Sequence, residues 1–143
     1  MERRRFDAYA RMCADPVVMR HMRTGVMTRE QTEGQISMLV RHWKERGYGL
    51  WAEEEKASGK FVGGIGLMYR EDWTDGEHRV EVGWLTKRSC WGRGLATEGA
   101  LESLRWGFED LKEERVISII HPENLASRWV AEKCGRAVRG KSY

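Results

Sequence analysis

The octapeptide Trp91-Gly92-Arg93-Gly94-Leu95-Ala96-Thr97-Glu98 joins a strand-like run, 80–85, to a helix-like run, 96–111. Two glycines at such a junction let the backbone turn tightly and leave no side chain to obstruct a ligand. The unpaired N–H groups that open the helix, reinforced by its dipole, form a natural anion site. The junction therefore reads as a backbone cradle for a phosphate-bearing ligand. It lacks the Gly-Lys-Ser/Thr tail with which a P-loop holds β- and γ-phosphates and Mg²⁺. It also lacks the third glycine and the acidic partner of a dinucleotide fingerprint. A diphosphate held by backbone and dipole, without metal, needs neither.

Around this junction the chain reads as alternating helices and strands. Phe6, Tyr9, Ala10 and Cys13 keep helical spacing, and Asp15-Pro16 reads as an N-cap with proline at the first helical position. Thr28 with Gln31 is a capping-box pair opening a helix to about residue 46, with Ile36, Leu39, Val40 and Trp43 as its apolar stripe and Gly47 as its stop. Strands are expected over 48–54 and 61–68, joined by a turn at 56–59. Gly63, Gly64 and Gly66 in the second predict a bulge or a closely approached backbone. The strand at 79–86 puts Val80, Val82 and Trp84 on one face and Glu81, Gly83 and Leu85 on the other. The helix after the glycine loop buries Ala100, Leu101, Leu104, Phe108 and Leu111. A short apolar strand, 115–120, then follows as a parallel crossover. A last helix, 126–133, is expected to end at Gly135.

At 143 residues this is one domain, 1–143. No apolar run approaches a membrane span and no secretory signal is visible. A net charge of +3 falls short of a nucleic-acid footprint. Cys13, Cys90 and Cys134 are scattered and odd in number, and His21, His42, His78 and His121 show no ligand spacing. The expectation is reduced thiols in a cytoplasmic protein and no metal site.

Three pieces together resemble the GNAT superfamily of N-acetyltransferases. Glu81-Val82-Gly83-Trp84-Leu85 is similar to that family's central strand, and the octapeptide to its pyrophosphate loop. His121-Pro122-Glu123-Asn124-Leu125-Ala126-Ser127 through Lys133-Cys134-Gly135 resembles its second cofactor motif. The likeness is nearest to the branch that acetylates ribosomal-protein N-termini. It implies an α/β (α+β) fold: a mixed, mostly antiparallel sheet with a splayed parallel strand pair and flanking helices, here shortened at both ends. Two departures accompany it. Ser89, with Arg88 beside it, stands where the loop often begins with Gln or Arg, and the usual first strand and C-terminal hairpin are expected to be absent. The Tyr that often serves as general acid comes from that C-terminal region, where this chain has only Tyr143.

The resemblance implies acetyl-CoA as co-substrate and a primary amine as acceptor. Backbone N–H groups of Trp91, Gly92, Arg93, Gly94, Leu95 and Ala96 would hold the pyrophosphate, with the Arg93 side chain either reaching a phosphate or solvated. Backbone groups of Trp84, Leu85 and Thr86 would pair with the pantetheine arm. Asn124 would hydrogen-bond that arm, and Ser127 would lie near the thiol end or the phosphates. Amide formation from a thioester needs an amine that loses a proton and a stabilised oxyanion. Glu81, on the strand face opposite Val80 and Val82, is the base candidate, acting through water. The ordinary reading of such a residue is a solvated Glu paired with an Arg. Cys90 and Trp91 read as packing, and His121 as a turn cap. The acidic run Glu71, Asp72, Asp75 and Glu77 reads as a solvated loop. A shortened sheet predicts a homodimer that covers its edge. Two rival readings stand beside the enzyme: a catalytically silent CoA-binding module, and a small RNA-associated domain suggested by 18 Arg against 7 Lys.

Overall fold

The protein is described by a computed structural model over residues 3–74 and 76–137. Asp75 and Tyr143 lie outside the described residues. Helix α1 (Arg3–Cys13) begins ahead of Phe6 and buries Tyr9, Ala10, Met12 and Cys13. The Asp15-Pro16 turn forms as expected: Asp15 Oδ1 accepts from Val17 N, and the Asp15 carbonyl from Met19 N, both at 3.0 Å. Helix α2 (Arg29–Arg46) carries the capping box, with Gln31 N donating to Thr28 Oγ1 at 3.1 Å and Thr28 N to Gln31 Oε1 at 2.8 Å. Gly47 closes it in the left-handed region at φ 77°. Its buried seam is narrower than predicted. Thr32 and Leu39 are buried, whereas Val40, rotated about 100° from Leu39, faces solvent.

Strands β1 (Leu50–Glu54), β2 (Phe61–Tyr69) and β3 (Val80–Thr86) pair antiparallel in the order β1-β2-β3. The glycines of β2 answer to close approach by both neighbours. A Cβ on Gly63 would lie 2.0 Å from Leu85 O, and one on Gly66 would lie 2.3 Å from Gly49 O. The register of β1 also slips between Glu53 and Glu54. Helices α3 (Leu95–Glu109) and α4 (Leu125–Ala137) complete the order.

Two expectations need correction. The apolar run 115–120 forms no ladder; it makes one parallel bridge, Ile117 opposite Glu81. Helix α4 runs through Gly135 rather than stopping there. Cys134, buried against the α3 side, anchors that last turn. Such tertiary burial overrides the roughly 1 kcal/mol that glycine costs in a helix.

Helices flank both faces of the sheet. Ile65, Leu67, Val82, Ala100, Leu104 and Val116 pack on the α3 side. Tyr9, Met12, Cys13, Met19 and Phe61 pack on the α1 side. No described helix is long and apolar enough to cross a membrane. The three cysteines are free thiols, all buried.

Between α3 and the edge strand β1 lies a cavity of about 380 Å³, walled by Tyr48, Trp51, Ile65 and Trp106, with Glu53 among its lining. Loss of water around the Glu53 carboxyl, and secondarily the neighbouring Glu98 charge, push its pKa up to about 7. A carboxyl whose folded pKa is raised binds more protons in the folded than in the unfolded state between its two pKa values, so the fold loses stability as pH rises through that window. Glu53→Gln removes the effect. Thermal unfolding is expected to give matching Tm values near pH 4.5, with the variant increasingly more stable than wild type up to pH 8. Parallel Tm curves would refute this.

Candidate functional site

The glycine loop leaves β3 through a 3-10 turn, Arg88–Cys90. Gly92 (φ 78°) and Gly94 (φ 75°) both take the left-handed conformation, and a Cβ on either would meet open space. Gly94 caps α3 without a side chain, and the first intrahelical bond runs from Glu98 N to Gly94 O at 3.0 Å. The N–H groups of Leu95, Ala96 and Thr97 therefore have no partner within the helix. Thr97 Oγ1 is buried beside them without a hydrogen-bond partner. Donors converging on open space, at the positive end of a helix dipole, suit a diphosphate.

The side chains around this loop are engaged within the protein. Arg93 pairs with Glu55 at the β1–β2 turn, and Arg88 pairs with Asp15 beyond α1. The Trp91 indole donates to Thr86 O at 2.8 Å while its ring stays half exposed, and its backbone N–H, expected at the pyrophosphate, instead closes the 3-10 turn by donating to Arg88 O at 3.1 Å. Arg93 thus fastens the loop to the hairpin. The open space at the loop is left to backbone groups.

The edge of β3 follows from the strand's alternation. Val82 N donates to Ile117 O, and Ile117 N donates to Val80 O, both at 2.9 Å. Odd-numbered residues turn the other way: Arg70 N donates to Arg79 O at 2.7 Å and Lys87 N to Val62 O at 2.9 Å. The backbone groups of Trp84 and Thr86 therefore face the side where the ladder has ended, whereas those of Leu85 face β2. With Thr86 O held by Trp91, the Trp84 N–H and C=O and the Thr86 N–H border the gap.

Glu81 sits at the base of this gap and is 6% exposed. Its Oε2 accepts from Ile119 N at 3.1 Å, and its Oε1 accepts from Arg70 Nε at 2.6 Å. Met68 is the cross-strand partner of Glu81, so Arg70 is its diagonal neighbour on the same sheet face. Glu81 is paired with an arginine, as its ordinary reading has it, but at a buried position.

The second bank is the turn into α4. Asn124 Oδ1 accepts from Ser127 N at 3.2 Å and so caps α4. Ser127 Oγ accepts from Trp84 Nε1 at 3.2 Å, tying α4 to β3. Ser127 is thereby brought to Trp84, and Asn124 caps the helix that carries it, each through a structural bond of its own. His121 accepts from Glu123 N through Nδ1 at 3.1 Å, which is a turn-cap role.

Sequence spacing gave no sign of Arg70, nor of His21, whose ring lies 5.2 Å from that of His121. His21, His121 and Glu123 bring possible ligand atoms within 4.8 Å of one another. The bond into His121 Nδ1 leaves the neutral ring's proton on Nε2, so neither nitrogen of that ring is a ready metal ligand.

The model of the acetyltransferase (GNAT) domain family matches residues 1–136. The uncharacterized protein YkkB of Bacillus subtilis is 33% identical over 121 residues, covering 85% of this chain and 69% of that protein. Among solved structures, an acetyltransferase from Agrobacterium tumefaciens superposes with TM-score 0.80 at 28% identity, over 94% of this chain and 75% of that one. A spermidine N-acetyltransferase from Vibrio cholerae, solved with CoA and spermine, superposes with TM-score 0.73 over 94% of this chain and 76% of that one; at 16% identity the likeness is one of fold. The mixed α/β architecture, the glycine loop opening α3 and these matches agree: the chain belongs to the GNAT acetyltransferase family and is an acyltransferase.

Proposed function

We propose that this chain transfers acetyl from acetyl-CoA to a primary amine, on a peptide, a protein N-terminus or a small molecule, by direct attack in a ternary complex. The observation that carries the reading is the parting of β3 from the segment beyond Ile117, next to a helix N-terminus that no side chain caps. At one end of the gap lie the N–H groups of α3, and along its side lie the Trp84 and Thr86 backbone groups. That sequence of donors suits a diphosphate followed by an amide-bearing arm. When bound, acetyl-CoA would supply the activated thioester carbonyl.

In this reading Gly92 and Gly94 keep space open at the loop, and the N–H groups of Leu95, Ala96 and Thr97 hold the diphosphate. Trp84 and Thr86 align the arm as an added strand. Asn124 and Ser127 shape the opposite bank. Val82 N–H is bonded to Ile117, and Gly83 turns its N–H towards β2, so Trp84 N–H is the donor assigned to developing negative charge on oxygen. Glu81 is proposed as the base: each carboxylate oxygen retains a lone pair for a water that relays the amine proton.

Three measurements test the reading. Thermal unfolding with CoA or acetyl-CoA at about 100 times its Kd is expected to add roughly 2.7 kcal/mol, several degrees in Tm, while ATP adds little. No shift with either thioester or thiol would remove the cofactor site. Glu81→Gln is expected to retain acetyl-CoA affinity and lose about 100-fold in turnover, the range of a general base; an unchanged pH–rate profile would sink that role. Gly94→Ala, forced to hold φ 75°, is expected to cost about 1–2 kcal/mol of stability and to weaken CoA binding. Intact CoA affinity in a folded variant would argue against a backbone-shaped phosphate site.

A further inference from the structure

At the base of the gap a side chain stands where a backbone bond is due. Ile117 makes both bonds of a parallel ladder, to Val80 and to Val82. The next rung would join Ile119 N–H to Val82 C=O, and the one after it Trp84 N–H to Ile119 C=O. Neither forms. Ile119 N–H turns to Glu81 Oε2 instead.

We propose that Arg70 is a positioning residue for acetyl transfer: its Nε holds the Glu81 carboxylate at the point where it takes the Ile119 N–H, and so keeps β3 and the segment beyond Ile117 apart. The inference rests on the gap being the acetyl-CoA site.

The two bonds engage different oxygens and so fix the plane of the carboxylate. Glu81 is nearly buried, whereas Arg70 is 41% exposed in its side chain and keeps contact with water. Arg70 therefore supplies charge to a buried anion without being buried itself. Without that cation the anion is uncompensated and is drawn out towards solvent. Ile119 N–H is then released to Val82 C=O, and the ladder closes over the Trp84 N–H. The same backbone groups serve either strand pairing or ligand. The Arg70–Glu81 pair selects the open arrangement.

The test compares CoA binding by calorimetry in wild type, R70Q, R70K, E81Q and the double variant R70Q/E81Q. Loss of a hydrogen bond to a charged group predicts about tenfold weaker CoA binding in R70Q. R70K keeps the charge without the planar fork and is expected to lose about threefold. In the double variant the neutral carboxamide that replaces the Glu81 carboxylate needs no cation, so affinity returns to near that of E81Q alone. A merely structural Arg70 would lower Tm in both backgrounds and show no such recovery. Wild-type affinity in folded R70Q and R70K, or a double variant no better than R70Q, would overturn the inference while leaving the acetyl-CoA reading intact. Failure of the wild type to bind CoA would instead overturn that reading, and this inference with it.

Discussion

A single parallel bridge, between Glu81 and Ile117, decides the shape of everything that follows it in this fold. Up to that point β3 has a hydrogen-bonded neighbour on each side. Beyond it β3 keeps β2 and loses the other, because Ile119 N–H is taken by a carboxylate. Buried backbone groups are ordinarily satisfied, so a strand left half paired in a domain's middle is a place built for something else. Here that half-paired stretch runs directly into the glycine loop. Polar backbone groups along a strand and at a helix end form one continuous lining.

The helix end and the strand edge cooperate because α3 sits close upon the sheet. A Cβ on Gly99 would meet Ile65 Cδ1 at 2.6 Å, and one on Gly107 would meet Leu67 Cδ1 at 3.1 Å. Two small residues on one helix face bring the helix down onto β2 and fix the height of its N-terminus relative to β3. The ion pairs of Arg93 with Glu55 and Arg88 with Asp15 hold the loop laterally, to the hairpin and to the segment beyond α1. Exposed pairs of this kind add little stability. What they contribute here is placement.

Local chemistry was what could be read from the sequence. The capping box at Thr28 and Gln31, the left-handed stop at Gly47 and the strand–loop–helix around Gly92 and Gly94 are each set by residues a few positions apart, and each formed where expected. Partnerships across the fold were less accessible. Glu81 lies where alternation put it, but its tie to Arg70 depends on cross-strand register. The run 115–120 has the composition of a strand, and composition does not reveal that a carboxylate interrupts its pairing after one bridge. Asn124 and Ser127, expected at a cofactor, make bonds that cap α4 and fasten Trp84. Gly135 looked like a terminator because the anchoring burial of Cys134 is a tertiary fact.

The Trp84–Ser127 bond has a consequence for how the domain coheres. The segment from Ile117 through α4 is joined to the rest by one backbone bridge, by the Ile119–Glu81 bond, by this indole–hydroxyl bond, by the His121–His21 ring contact and by apolar packing on α3. A ligand lying along β3 would touch both banks and act as the missing strand of the sheet. Regions held by few backbone bonds open locally at lower free energy than a domain's core. This segment would then open more readily than the sheet, and a ligand in the gap would tie it to the remainder, so that occupancy of the gap and protection of α4 from proteolysis would be two views of one equilibrium.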